Sequence, residues 1–221
     1  ANDIDSRESG LLARKARGLR SAAGLTLQEL STRCGISQSA LSKIENGQLS
    51  LVFQPKVRLA DGRNEGFEVL TRWTHPERGH IAPDVFVRIA EETELIHPFT
   101  RWVMRRAFSQ LQTWCRNGFR TSLSINVSVR NLAVPGFVNE VRGILDEFEI
   151  SPELIELEIT EGALIQDSST VLKRLLLLQD LGVRLSIDDF GAGYASLAYL
   201  KMLPVDVLKI DGSFIRSVDV D

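Results

Sequence analysis

From Leu51 onward, short apolar segments alternate with longer stretches of helical periodicity. Gly66-Phe67-Glu68-Val69-Leu70, Leu123-Ser124-Ile125-Asn126-Val127, Leu154-Ile155-Glu156-Leu157-Glu158-Ile159-Thr160-Glu161, Leu185-Ser186-Ile187-Asp188-Asp189-Phe190-Gly191 and Val207-Leu208-Lys209-Ile210-Asp211 each read as a strand. With a first strand near Val52, the pattern predicts strands near Val52, Glu68, Ser124, Leu157, Ser186 and Leu208. Helical stretches lie between the later ones, and the run Val171 to Leu181 reads as a helix packed on the sheet. Alternating strand and helix predicts an α/β fold, and in a closed parallel barrel one end of every strand converges on a shared pocket.

The first fifty residues follow a different period. Leu11 to Arg20 forms a basic amphipathic helix ending near Gly24, and Thr26 caps a second helix with Glu29 completing a capping box. Gly35-Ile36-Ser37 makes a tight turn, Ser37 caps a third helix from Gln38 to Glu45, and Asn46-Gly47 stops it. Two short helices joined by a glycine turn describe a helix-turn-helix. At Leu49-Ser50-Leu51-Val52-Phe53 the chain passes directly into a strand, and a helical unit of about fifty residues is marginal by itself. Two readings stay open for it: a DNA-binding element, or a structural and dimerising one in which Ser39 to Gln48 is the leading helix of the following fold.

Composition adds bounds. An apolar fraction of 43% supports a real core, and a net charge of −3 marks neither a nucleic-acid nor a membrane partner for the whole chain. The first fifty residues carry seven Lys/Arg against five Asp/Glu, net +2, which leaves −5 for the rest. That asymmetry points to a nucleic-acid-facing start. Cys34 and Cys115 have no neighbours at metal-ligand spacing and read as free thiols of a reducing compartment. No apolar run approaches the roughly 20 residues that span a bilayer, and no signal peptide opens the chain, so a cytoplasmic protein is expected.

Candidate chemistry concentrates at the strand ends. Asp188 and Asp189 are adjacent acids where an apolar strand stops, and a divalent cation is the usual reason to hold two like charges so close. Glu68, Asn126, Glu158, Asp188 and Asp189 together form a set of hard oxygen donors suited to magnesium or manganese. The histidines, His75, His80 and His97, are scattered in loops beside prolines or a glycine, without metal-ligand spacing. Trp73, Trp102 and Trp114 lie in apolar surroundings and read as core, and Arg101, Arg105 and Arg106 read as a solvated helix face.

Two family resemblances sharpen these expectations. Gly24-Leu25-Thr26-Leu27-Gln28-Glu29-Leu30 and Gly35-Ile36-Ser37-Gln38-Ser39-Ala40-Leu41-Ser42-Lys43-Ile44-Glu45-Asn46-Gly47 resemble the Cro/repressor-like (XRE) helix-turn-helix. The resemblance implies that Gln28 touches a phosphate and that Gln38, Ser39, Ser42 and Lys43 face the groove of DNA; it also implies one or two further closing helices, in whose place the chain enters a strand at Leu49, so the segment is incomplete. Residues 51 to 218 resemble the EAL family of cyclic di-GMP phosphodiesterases. The resemblance rests on Gln54-Pro55, on Gly66-Phe67-Glu68-Val69-Leu70-Thr71-Arg72-Trp73 with Val69 where the signature has alanine, and on Ile125-Asn126-Val127-Ser128. It continues through Glu158-Ile159-Thr160-Glu161, Asp188-Asp189-Phe190-Gly191-Ala192-Gly193-Tyr194 and Lys209-Ile210-Asp211.

This resemblance implies a (β/α)8 TIM-type barrel that hydrolyses cyclic di-GMP to the linear dinucleotide with two divalent ions, Mg2+ or Mn2+. Glu68, Asn126, Glu158 and Asp188 would hold one ion, and Asp188 with Asp189 the other. Lys209 would orient the attacking water or steady the phosphate charge, Arg72 would pair with a phosphate, Gln54 would contact substrate, and Glu161 would brace the loop from Phe190 to Leu197 rather than touch a metal. Family members commonly pair as homodimers through the loop after Asp189. The expected organisation is therefore a helix-turn-helix over 1–50 and an EAL domain over 51–221. Only six of the eight strands fall within the sequence, the last two being absent. A fragment, strands supplied by a partner, and a degenerate protein all fit that count. The competing function is a non-catalytic cyclic di-GMP receptor or DNA-binding regulator.

Overall fold

Leu123, Ile125, Ile155, Leu157 and Ile159 alternate with Ser124, Glu156 and Glu158, and all eight are buried. Strands covered on both faces are characteristic of a parallel sheet enclosed by helices. Here one face is apolar and the other polar, which sets the location of the chemistry. The computed structural model of the chain describes residues 17, 21, 24–29, 49–75, 79–93, 95–162, 168–191 and 203–215.

Seven strands are present among these residues: β1 (Leu49–Val57), β2 (Asn64–His75), β3 (Gly79–Ile81), β4 (Leu123–Asn126), β5 (Ile155–Thr160), β6 (Arg184–Phe190) and β7 (Val207–Ile210). Five helices accompany them: α1 (Pro83–Glu92), α2 (Ile96–Arg116), α3 (Val129–Ala133), α4 (Phe137–Glu147) and α5 (Ser168–Asp180). All six anticipated strands are found, and β3 is an addition. The strand order is β1-β2-β4-β5-β6-β7, with β3 attached to β2. Backbone bonds from Arg58 N to Arg63 O and from Gly62 N to Arg58 O close the turn between β1 and β2. Neighbouring strands joined so tightly form a hairpin, because a parallel pair needs a long crossover.

The chain separates into two units, Ala1–Val52 with Leu70–Arg106, and Phe53–Val69 with Ala107–Asp221. In the first, Trp73, Phe86 and Ile89 form a buried cluster against which Leu27, Leu49, Ile81, Val87 and Phe99 pack. β3 runs antiparallel to the end of β2, with Trp73 opposite Ile81 and Thr74 opposite His80. His75 and His80 therefore stand on strands and His97 in the first turn of α2, where loops were expected. The capping box at Thr26 and Glu29 is formed: Thr26 N donates to Glu29 Oε2 at 2.7 Å and Glu29 N to Thr26 Oγ1 at 3.1 Å. Gln28 is exposed beside it. Of the expected helix at 11–20 only Arg17 is described, and it is helical; the expected helix at 38–45, with Gln38, Ser39, Ser42 and Lys43, lies outside the described residues.

In the second unit β4, β5, β6 and β7 run parallel, with Asn126 beside Glu158 and Thr160 beside Asp188. Leu132, Phe137, Val141, Ile144, Leu145, Val171, Leu175 and Leu178 from α3, α4 and α5 are buried, and α5 packs on α3, α4 and β6. Each such side chain contributes about 1.5–3 kcal/mol when fully buried. At the start of the sheet Trp114 meets Phe53 at 5.0 Å and Phe67 at 5.2 Å between ring centroids. The apolar face is thus committed to packing, and the polar face of the same strands is left to form the site.

Candidate metal centre

Side chains two apart on a strand share a face, so Glu156 and Glu158 on β5, Ser124 and Asn126 on β4, and Ser186 and Asp188 on β6 all line the polar side. Curvature of the sheet does the rest. Lys209 on β7 places its Nζ 2.6 Å from Glu158 Oε2, 2.9 Å from Asp188 Oδ2 and 3.4 Å from Glu68 Oε2. β2 and β7 are separated by three strands in the sheet order, yet their side chains meet. Asn126 Nδ2 donates to Glu68 Oε1 at 3.2 Å.

Carboxylate oxygens of Glu68, Glu158 and Asp188 all lie within 4.8 Å of one another. Glu158 is fully buried and Lys209 a quarter exposed. Burial pushes the Glu158 carboxyl up to about 7, against the pull of the Lys209 ammonium, and the charges of Glu68 and Asp188 push it the same way. For Lys209, burial acts downward but its hydrogen bonds to Asp188 and Glu158 outweigh it, so it is held above its ordinary range and stays charged. Among the described residues, Glu158 Oε1 is buried with no hydrogen-bond partner. A buried carboxylate oxygen left in this state beside two further acids fits a divalent cation, whose hard charge would satisfy it.

The paired aspartates sit on a break in the sheet. The β6–β7 register shifts between Ile187 and Phe190, and Asp189 takes a left-handed φ of 54°. Asp188 Oδ1 accepts from Asp189 N at 2.9 Å. Asp188 belongs to the three-carboxylate cluster, and Asp189 is exposed just outside it. Glu161, buried, accepts from Gly191 N at 2.7 Å through Oε2, at the first residue of the loop after the strand. Residues 192–202, which follow it, lie outside the described residues. Gln54 is exposed on β1, and Arg72 is half-buried in the smaller unit with its guanidinium donating to the Thr71 carbonyl at 3.2 Å.

A second polar layer was not anticipated. Lys56 on β1 bonds to Ser124 Oγ and to Glu156 Oε1 at 3.1 Å, Ser124 Oγ donates to Glu156 Oε1 at 3.0 Å, and Arg184 stands 3.8 Å from Glu156 Oε2. Its trace in the sequence is the alternation itself: Ser124, Glu156 and Ser186 precede Asn126, Glu158 and Asp188 by two.

Comparisons with known proteins show the family of the chain. A model described as "EAL domain" matches residues 37–221, and one described as "Helix-turn-helix domain" matches residues 11–61. The chain belongs to the EAL-domain family. The helix-turn-helix match runs past Leu49 into residues that form β1 and its turn. Cyclic di-GMP phosphodiesterase PA2567 of Pseudomonas aeruginosa is 40% identical over 168 residues, covering 76% of this chain and 29% of the relative. The uncharacterized protein Rv1357c of Mycobacterium tuberculosis is 38% identical over 195 residues, covering 87% of this chain and 64% of the relative. The chain thus spans less than two thirds of each of these two. A structure titled "PaMucR Phosphodiesterase, c-di-GMP complex" superposes with a TM-score of 0.75 at 40% identity, covering 80% of this chain and 72% of that one. No helix among the described residues is long and apolar enough to cross a membrane.

Proposed function

We propose that the chain is a metal-dependent phosphodiesterase that hydrolyses cyclic di-GMP to the linear dinucleotide pGpG. The observation that carries the proposal is the cluster of Glu68, Glu158 and Asp188 around Lys209, with an unsatisfied buried oxygen on Glu158. The family membership and the similarity to named cyclic di-GMP phosphodiesterases support the substrate.

Glu68, Asn126, Glu158 and Asp188 would hold one Mg2+ or Mn2+ ion, and Asp188 with Asp189 a second. Divalent ions there would supply Lewis acidity, lowering the pKa of a bound water and neutralising charge on the phosphodiester. Lys209 remains protonated beside three acids, so it serves as a hydrogen-bond donor that orients the attacking water and steadies anionic oxygen, not as a base. Water adds to phosphorus, the 3′-oxygen departs and takes a proton, and the ring opens to a linear dinucleotide. Asn126 keeps Glu68 turned towards the cluster, Glu161 fixes the backbone where the Asp188–Asp189 strand ends, and Gln54 on the exposed side of β1 contacts the nucleotide. Chromatography of cyclic di-GMP incubated with the chain and Mn2+ tests the proposal, which predicts linear product that disappears in Glu68→Ala.

The helix-turn-helix match supports a second role, DNA binding through residues 11–47, with Gln28 on a phosphate and Gln38, Ser39, Ser42 and Lys43 in the groove. The functional partition is then 1–50 and 51–221, in a cytoplasmic protein whose Cys115 stays a free thiol. Affinity for duplex DNA should fall steeply with salt. A mobility assay with no shifted band at low salt would remove this role and leave the hydrolase untouched.

A further inference from the structure

Lys56 joins strands that the sheet does not join. β1 pairs with β2, and β2 in turn with β4, yet the Lys56 ammonium crosses the polar interior to Ser124 on β4 and to Glu156 on β5. Ser124 and Glu156 are register partners, as are Glu156 and Arg184. One alternation further along the same strands come Asn126 and Glu158. Hydrogen bonds within a sheet fix neighbouring strands but leave its curvature soft. The metal centre depends on that curvature, because Glu68 on β2 reaches the lysine of β7 only across the curved face.

We propose that Lys56 is a positioning residue for the metal centre. Its ammonium, seated on Ser124 and Glu156, ties β1 to β4 and β5 from inside and holds the curvature at which Glu68 meets Glu158 and Asp188. The ammonium is suited to this because its donors can point at two acceptors at once, and Ser124 Oγ in turn donates to the same Glu156 oxygen, closing a triangle. Glu156 is almost fully buried and Lys56 mostly so, which shields the tie from water and salt. The inference rests on the phosphodiesterase reading, since it assigns Lys56 to the same ions.

The test is titration calorimetry of Mn2+ into the full chain and its Lys56→Met variant, which keeps the length of the side chain and removes its donors. Melting curves establish that each variant is folded. Losing a group that holds a metal ligand in place weakens binding by about 10–100-fold; Lys56 acts one step further back, through Ser124 and Glu156, so a Mn2+ affinity about tenfold weaker, the low end of that range, is expected for Lys56→Met. Turnover should be recovered in part at saturating Mn2+, so that the activation constant moves more than the maximal rate. Ser124→Ala, a smaller change, should weaken Mn2+ binding in the same direction but by less, and covers the case in which Lys56→Met does not fold. Lys56→Met/Glu156→Gln removes the unpaired buried charge without restoring the tie, and should stay weak.

Three results would overturn the assignment of Lys56 alone, given a wild type that binds Mn2+ and forms product. The first is unchanged Mn2+ affinity in folded Lys56→Met. The second is tighter binding, which would make Lys56 merely a repelling charge. The third is full recovery in the double variant, which would make the unpaired acid the whole effect. A wild-type chain that binds no Mn2+ overturns this inference together with the phosphodiesterase reading.

Discussion

Lys209 on β7 donates to Glu158 on β5 at 2.6 Å, so a charged amine is held against a carboxylate that is fully buried. Burial dominates the carboxyl, whose pKa rises from 4.5 to about 7, and this sets a pH dependence. A folded-state pKa above the unfolded one means that the protonated acid is favoured by folding. The stabilisation is present in full below 4.5 and is lost as the pH rises to about 7. In chelator, Glu158→Gln should melt close to the wild type at pH 4.5 and progressively above it towards pH 8. Melting curves across that range check the expectation, and a gap that does not widen with pH would contradict it.

Asp189 occupies a left-handed φ of 54°, where the β6–β7 register shifts. Aspartate and asparagine tolerate this region, whereas a β-branched residue is strained there by roughly 1–2 kcal/mol. Asp189→Asn should therefore leave the melting temperature nearly unchanged while lowering metal-dependent turnover by about a hundredfold, if Asp189 holds the second ion. Asp189→Val should lose both stability and activity. Parallel melting and rate measurements separate the two effects.

Gly191 has a φ of +97°, and a Cβ there would meet the Phe214 ring at 2.6 Å. Gly191→Ala thus faces backbone strain and a ring contact together, and a stability loss of about 1–3 kcal/mol is expected in urea unfolding. Phe214→Ala in the same chain should return only the steric part. Glu161→Ala leaves the Gly191 N–H without its acceptor and should cost about 1–3 kcal/mol, while Glu161→Gln keeps an acceptor oxygen and should cost less.

Gly66 is constrained by a different contact. A Cβ at this position would lie 2.2 Å from Ser122 Oγ and 2.9 Å from the Ser122 carbonyl oxygen. Removing the hydroxyl by Ser122→Ala relieves one contact and leaves the backbone one. Gly66→Ala should accordingly destabilise the fold by about 1–3 kcal/mol, with incomplete rescue by Ser122→Ala, as unfolding curves of the single and double variants would reveal.

Much of this architecture could be read from the chain because period-2 alternation marks both faces of β4, β5 and β6. The apolar positions Ile155, Leu157 and Ile159 announce a strand, and Glu158 between them announces an acid facing inward. The capping box at Thr26 and Glu29 was equally legible, since its bonds span three residues. Contacts between distant strands were not. Lys56 meets Glu156 a hundred residues away, and nothing local distinguishes Lys56 from a solvated lysine. β3 is not legible because Gly79–Ile81 is three residues long, opens on a glycine and stands between Pro76 and Pro83, too short to carry a period. The loops expected at His80 and His97 failed for the same reason: beside turn-forming residues, tertiary pairing decides between strand, helix and loop.

Incubating the purified chain with cyclic di-GMP and Mn2+ or Mg2+, and following the linear dinucleotide by chromatography beside a Glu68→Ala control, is the most direct test of the central claim. The account predicts product that requires the metal and is lost with Glu68. Product formed equally by Glu68→Ala, or no product from a wild-type chain that binds the nucleotide and the metal, would contradict it.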